Sequence, residues 1–98
     1  MEEIIHKSFV IQNNKEDAEK MLRELCEFDA EFCENEDYNI EYCLSYAKQQ
    51  KYTTKDMIEQ FIDMWMESNE LYYTSYSLKI IESNDKLSIS FVFTINDN

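Results

Sequence analysis

YYTSYSLKIIESNDKLSISFVFTI, residues 72–95, is the stretch that decides the fold. Tyr72, Thr74, Tyr76, Leu78 and Ile80 alternate with other residues, and beyond Asn84-Asp85 so do Leu87, Ile89, Phe91, Phe93 and Ile95. That period of two belongs to half-buried strands. Asn and Asp tolerate the positive φ that both central residues of a two-residue hairpin loop require. Such a loop places Ile80 opposite Ile89, Leu78 opposite Phe91 and Tyr76 opposite Phe93, all on one face. Ser75, Ser77, Lys79, Ser88, Ser90 and Thr94 then form the other face, toward solvent or a polar partner.

Working upstream, the same alternation recurs over residues 4–12, with Ile5, Phe9 and Ile11 on one side and His6 and Ser8 on the other. Between these strands the period lengthens. Asn13 or Asn14 caps a helix, with Glu16 or Asp17 as the acidic half of a capping box. This helix is expected to run to about Glu34, burying Ala18, Met21, Leu22, Leu25, Phe28 and Phe32. Thr53, capped against Asp56, starts another, whose buried face is Met57, Ile58, Phe61, Ile62 and Trp65. Residues 38–52 fit two patterns: Ile40, Tyr42, Leu44 and Tyr46 alternate, while Ile40, Cys43, Leu44 and Ala47 follow a helical stripe. The run Ala47-Lys48-Gln49-Gln50 favours helix. The expected fold is α+β in the order β-α-α-α-β-β, a small antiparallel sheet of the N-terminal strand and the C-terminal hairpin packed by two or three helices. Residues 1–98 form one acidic domain.

Composition narrows function by exclusion. The chain has no glycine or proline, so phosphate-cradling loops and dinucleotide fingerprints, which need backbone to approach a ligand closely, are ruled out. Lysine and arginine number 9 against 21 acids, for a formal charge of −12. Such a surface repels nucleic acid and anionic membranes, and calls for a cationic partner, most commonly a basic protein that itself binds nucleic acid. A hydrophobic content of 44% with 14% aromatics is that of a folded domain. No apolar run reaches the ~18 residues of a membrane span, and MEEIIHKSF lacks the basic start and apolar core of a secretory leader. A cytoplasmic location is expected. One arginine and three alanines amid many Asn, Lys, Ile and Tyr follow AT-rich codons, those of a low-GC bacterium or its phages.

Charge is spread unevenly. Glu24, Glu27, Asp29, Glu31, Glu34, Glu36, Asp37 and Glu41 follow one another with no base between, and a second base-free stretch holds Asp56, Glu59, Asp63, Glu67 and Glu70. On helices, Glu24, Glu27, Glu31 and Glu34 share a face, as do Glu59, Asp63, Glu67 and Glu70. The first ladder spans roughly 15 Å at about 1.5 Å per residue. Its charges stand about 5 Å apart, compared with about 3.4 Å between phosphates on one DNA strand. Two readings remain open, a solvated face kept for solubility and a partner-facing patch that imitates a polyanion.

Other chemistry is poorly supplied. Asp29, Glu31, Cys33, Asn35, Asp37 and Asn39 alternate like calcium ligands, but an EF-hand loop starting at Asp29 puts Ile40 where a bidentate Glu belongs and Glu34 where glycine belongs. Cys26, Cys33 and Cys43 match no zinc spacing, with only His6 to supplement them. No metal or other cofactor is expected. His6 has no adjacent acid or nucleophile, and carboxylates around Cys33 disfavour a thiolate. Catalysis is not expected. Seven tyrosines exceed what a small core can bury, so Tyr38 and others are candidates for an interface, though they also fit the rim of a core. Lys48, Lys51 and Lys55 form a basic island too small to bind nucleic acid.

In size, acidity, AT-rich composition and α/β pattern, the chain resembles the small acidic proteins with which phages disarm host defences, including anti-CRISPR proteins and other DNA mimics. That resemblance lies in composition and involves no shared motif. It implies a non-enzymatic inhibitor of an RNA-guided nuclease, occluding the site where nucleic acid binds. The same charge also fits an immunity or antitoxin protein against a basic nuclease, or an adaptor subunit, as a homodimer joined through the hairpin edge.

Overall fold

The computed structural model describes residues 2–29, 36–49, 53–68 and 73–96. Its elements are β1 (Glu2–Gln12), α1 (Lys15–Asp29), α2 (Glu36–Gln49), α3 (Thr54–Ser68), β2 (Tyr73–Ser83) and β3 (Lys86–Asn96). The strands form an antiparallel sheet in the order β1-β3-β2. The expected α+β order is therefore the observed one, and each strand has 11 residues. At about 3.4 Å per residue a strand is roughly 37 Å long, which sets the 42 Å long axis of the molecule.

The turn chemistry acts as the sequence predicts. Asn84 and Asp85 adopt φ of 50° and 64°, and the two-residue loop fixes the pairs Ile80–Ile89, Leu78–Phe91 and Tyr76–Phe93. The register shifts at the far end. Tyr73 faces Ile95 and Ser75 faces Thr94, so Thr74 is the extra residue of a bulge. Strict alternation, which would put Thr74 opposite Ile95, fails there. Tyr72 lies outside the described residues.

Asn14 caps α1 by accepting the Asp17 N–H at 2.7 Å. The Asp17 carboxylate reaches past the cap to accept the Gln12 N–H at 3.3 Å, tying helix to strand. Thr53 Oγ1 accepts the Asp56 N–H at 3.1 Å, the cap expected for α3. In α2 the helical stripe prevails over the alternation. Cys43, Leu44 and Ala47 are buried while Tyr42 and Tyr46 are exposed. The expected end of the first helix near Glu34, with Phe32, lies outside the described residues.

One core joins these elements. Leu87, Ile89, Phe91, Phe93 and Ile95 of the central strand are buried beneath Ala18, Met21, Leu22 and Leu25 of α1 and Met57, Ile58, Phe61, Ile62 and Trp65 of α3. Phe91 stacks on Phe93 with centroids 4.9 Å apart, and Phe61 on Trp65 at 6.3 Å. α1 packs on β1, α3 on β2, and α2 against α3 and α1. The helices thus cover one face of the sheet and leave the other open.

Candidate protein-interaction site

Burying Met57, Phe61 and Trp65 on one side of α3 turns Asp56, Glu59, Asp63 and Glu67 outward, and all four are exposed. The helix period that builds the core also builds the acidic ladder. Over the eleven residue steps from Asp56 to Glu67 the rise is about 16 Å, a mean of roughly 5.5 Å between successive carboxylates.

Where α3 lies beside β2, Asp56, Glu59, Gln60 and Asp63 line one wall of an open groove of about 690 Å³, with Tyr76 and Leu78 on the other. The Tyr76 hydroxyl donates to Asp63 Oδ1 at 3.0 Å. Its ring lies 6.0 Å from Phe91, so the inward-facing side of the edge strand supplies a polar tip at the groove. Desolvation, reinforced by the Asp63 carboxylate, lifts the Tyr76 phenol above its ordinary pKa. Among the described residues the groove lining contains no cationic side chain. A second groove, of about 440 Å³ between β1 and α1, carries Asp17 and Glu24 together with Lys20 and Lys86. Its charges are mixed.

The predicted site residues have different surroundings. Asp56, Glu59 and Asp63 come together at the α3–β2 groove, and Glu67 extends their row. Glu24 is exposed on α1 and belongs to the mixed groove. Glu27 and Asp29 fall within α1, and Glu36, Asp37 and Tyr38 within α2. Glu31, Glu34 and Glu70 lie outside the described residues. Glu41 is engaged within the fold: the only arginine, Arg23, donates to both of its carboxylate oxygens and also to Glu19, to which Lys48 is paired at 3.3 Å. Arg23 holds the Glu41 carboxyl below the usual carboxylate range. The network ties α1 to α2, and a base outside the acidic run thereby relieves part of its repulsion.

Two features escaped the sequence reading. Tyr76 as a groove residue depends on α3 folding over β2, a relation between positions 13 residues apart with no local signature. The open sheet face is the second. Ile4, Val10 and Ile81 project from it, 62%, 68% and 51% exposed, beside His6, Lys79 and Lys86 and a row of serines. Across residues 4–12, 75–83 and 86–94, no carboxylate points to this side. The clue was present in sequence, because within those three ranges every second residue on that side is neutral or basic.

Cys43 is buried and free, its thiol pushed up by desolvation. Among the described residues no three His, Cys, Asp or Glu side chains are placed to hold a metal ion, and no helix is long and apolar enough to cross a membrane. No family model matches this chain, and neither a curated protein nor a solved structure matches it.

Proposed function

We propose that this chain is a non-enzymatic inhibitor that binds a basic, nucleic-acid-binding enzyme through an acidic face imitating a polyanion. The observation that carries this reading is the row of Asp56, Glu59, Asp63 and Glu67 on α3, exposed and without a cation among the described residues lining its groove. Carboxylates about 5.5 Å apart approach the charge density of a nucleic-acid strand, at about 3.4 Å per phosphate. They are held on a helix anchored by Phe61 and Trp65, so the charges are ordered before the partner arrives. A partner whose groove is lined by Lys and Arg gains from each carboxylate what it would gain from a phosphate.

The resemblance to phage inhibitors of host defence directs the choice of target to RNA-guided nucleases, with the chain acting in the cytoplasm of a low-GC bacterium. The test is a cleavage assay in which the purified chain is added to RNA-guided nuclease complexes and, in parallel, to basic nuclease toxins, before or after target DNA. Occlusion predicts that cleavage by a guided complex is lost when the chain is added first and preserved when DNA is added first. Inhibition confined to a toxin would identify an immunity protein instead. Full cleavage by every nuclease in both orders of addition would remove the inhibitor reading.

A further inference from the structure

Among the described residues β2 is the outermost strand of the sheet, and no strand pairs with its free side. Alternate residues along its 11 positions therefore present N–H and C=O groups away from β3. The other edge differs. β1 carries Lys7 on its helix-facing side, opposite the buried Phe91, and a charge aimed inward from an edge strand opposes the addition of another strand. On the corresponding side of β2 stand Tyr76, Leu78, Ile80 and, at the turn end, Glu82, so over residues 76–82 the one charge on that side is negative and suits a basic segment. The groove of about 690 Å³ lies beside this open edge, with Asp56, Glu59 and Asp63 across it.

We propose that β2 is the docking edge for an extended segment of the partner, added as a fourth strand with a basic residue at every second position. This rests on the proposed function and specifies how the partner is held. In an added strand, side chains of one parity point to the helix side of the sheet and recur about every 6.8 Å. From Asp56 to Asp63 α3 rises about 10.5 Å, so two Lys or Arg residues of that parity meet the carboxylate row. Side chains of the other parity fall beside Lys79 on the open face and are neutral or acidic in a fitting partner. Main-chain pairing supplies affinity, and the alternation supplies selectivity. A second copy of this chain is a poor occupant, because β2 pairing with β2 would bring two rows of α3 carboxylates together across the same edge.

The test uses the purified chain and three short peptides of equal charge: lysine alternating with threonine, the same residues in two blocks, and the alternating peptide N-methylated on alternate backbone amides. Binding is followed by titration and by amide shifts in NMR. The alternating peptide is expected to bind at least about tenfold more tightly than the blocked and methylated forms, since several main-chain hydrogen bonds are at stake. Its amide shifts should concentrate in β2 and spare β1, and Glu59→Gln with Asp63→Gln should weaken it. Equal binding of all three peptides, with salt-sensitive affinity, would overturn the edge proposal and leave the polyanion-mimic reading standing. No binding of any peptide at low salt would overturn both. Light scattering that shows a stable dimer, with β2 amides already protected, would assign the edge to a second copy.

Discussion

At the residue scale, single side chains set the turn and the groove. Asn84 and Asp85 both hold φ in the left-handed region, where any residue with a Cβ is strained and Gly is not. Asp85→Gly should therefore raise stability by a few tenths to about 1 kcal/mol, read as a higher denaturant midpoint. The backbone bond from Asn13 N–H to the Asp85 carbonyl at 2.8 Å needs no side chain and should survive. A lower midpoint would mean that the Asp85 carboxylate matters more than its backbone angle. Tyr76 provides a pH signature. Its phenol is raised by desolvation and by Asp63, so its contribution to stability is fully present below the ordinary tyrosine value of about 10 and is lost as pH rises through the higher folded value. Alkaline titration of tyrosinate absorbance should contain a late component that disappears in Tyr76→Phe. If Tyr76→Phe leaves the curve unchanged in shape, the hydroxyl is not held against Asp63.

At the element scale, the central strand carries the core. Phe91 is 1% exposed and touches Phe93 and Tyr76 through its ring, so Phe91→Ala should cost about 3–5 kcal/mol. Ser90, exposed on the open face, should tolerate alanine with almost no change. Similar losses at both positions would reverse the assignment of faces. The hairpin was legible in sequence because one two-residue loop fixes every pair that follows it. α2 was less so, since Ile40 and Leu44 satisfy both periods; helix propensity at Ala47-Lys48-Gln49-Gln50 favoured one, and the buried placement of Cys43, Leu44 and Ala47 with Tyr42 and Tyr46 exposed decides it. The bulge at Thr74 left no mark, because a single inserted residue changes register without changing composition. For the site, the α3 acids were legible as the back of an amphipathic helix. Their meeting with Tyr76, and the pairing of Glu41 with Arg23 across 18 residues, are products of tertiary packing.

Over the whole molecule, charge is segregated by layer. The helices bear the exposed acid rows, while the open face of the sheet carries Lys79, Lys86 and His6 among serines and isolated apolar side chains. Two basic residues on a chain of net charge −12 are too few to hold phosphates, so neither DNA nor RNA should be retarded by micromolar protein in a gel shift at low salt. A shift there would reject an acidic binder outright. If α3 faces the partner, long-range attraction should speed the encounter and fade as salt shortens the screening length to about 8 Å at physiological ionic strength. The most direct measurement is the association rate with an inhibited basic nuclease across ionic strength, for the native chain and for Glu59→Gln, Asp63→Gln, Glu67→Gln combined. The native rate should fall steeply with salt, and the triple variant, equally stable or slightly more so because like charges are relieved, should associate severalfold more slowly at low salt with a flatter slope. Identical rates and identical slopes for the two proteins would contradict the account and leave the α3 row a solubilising surface.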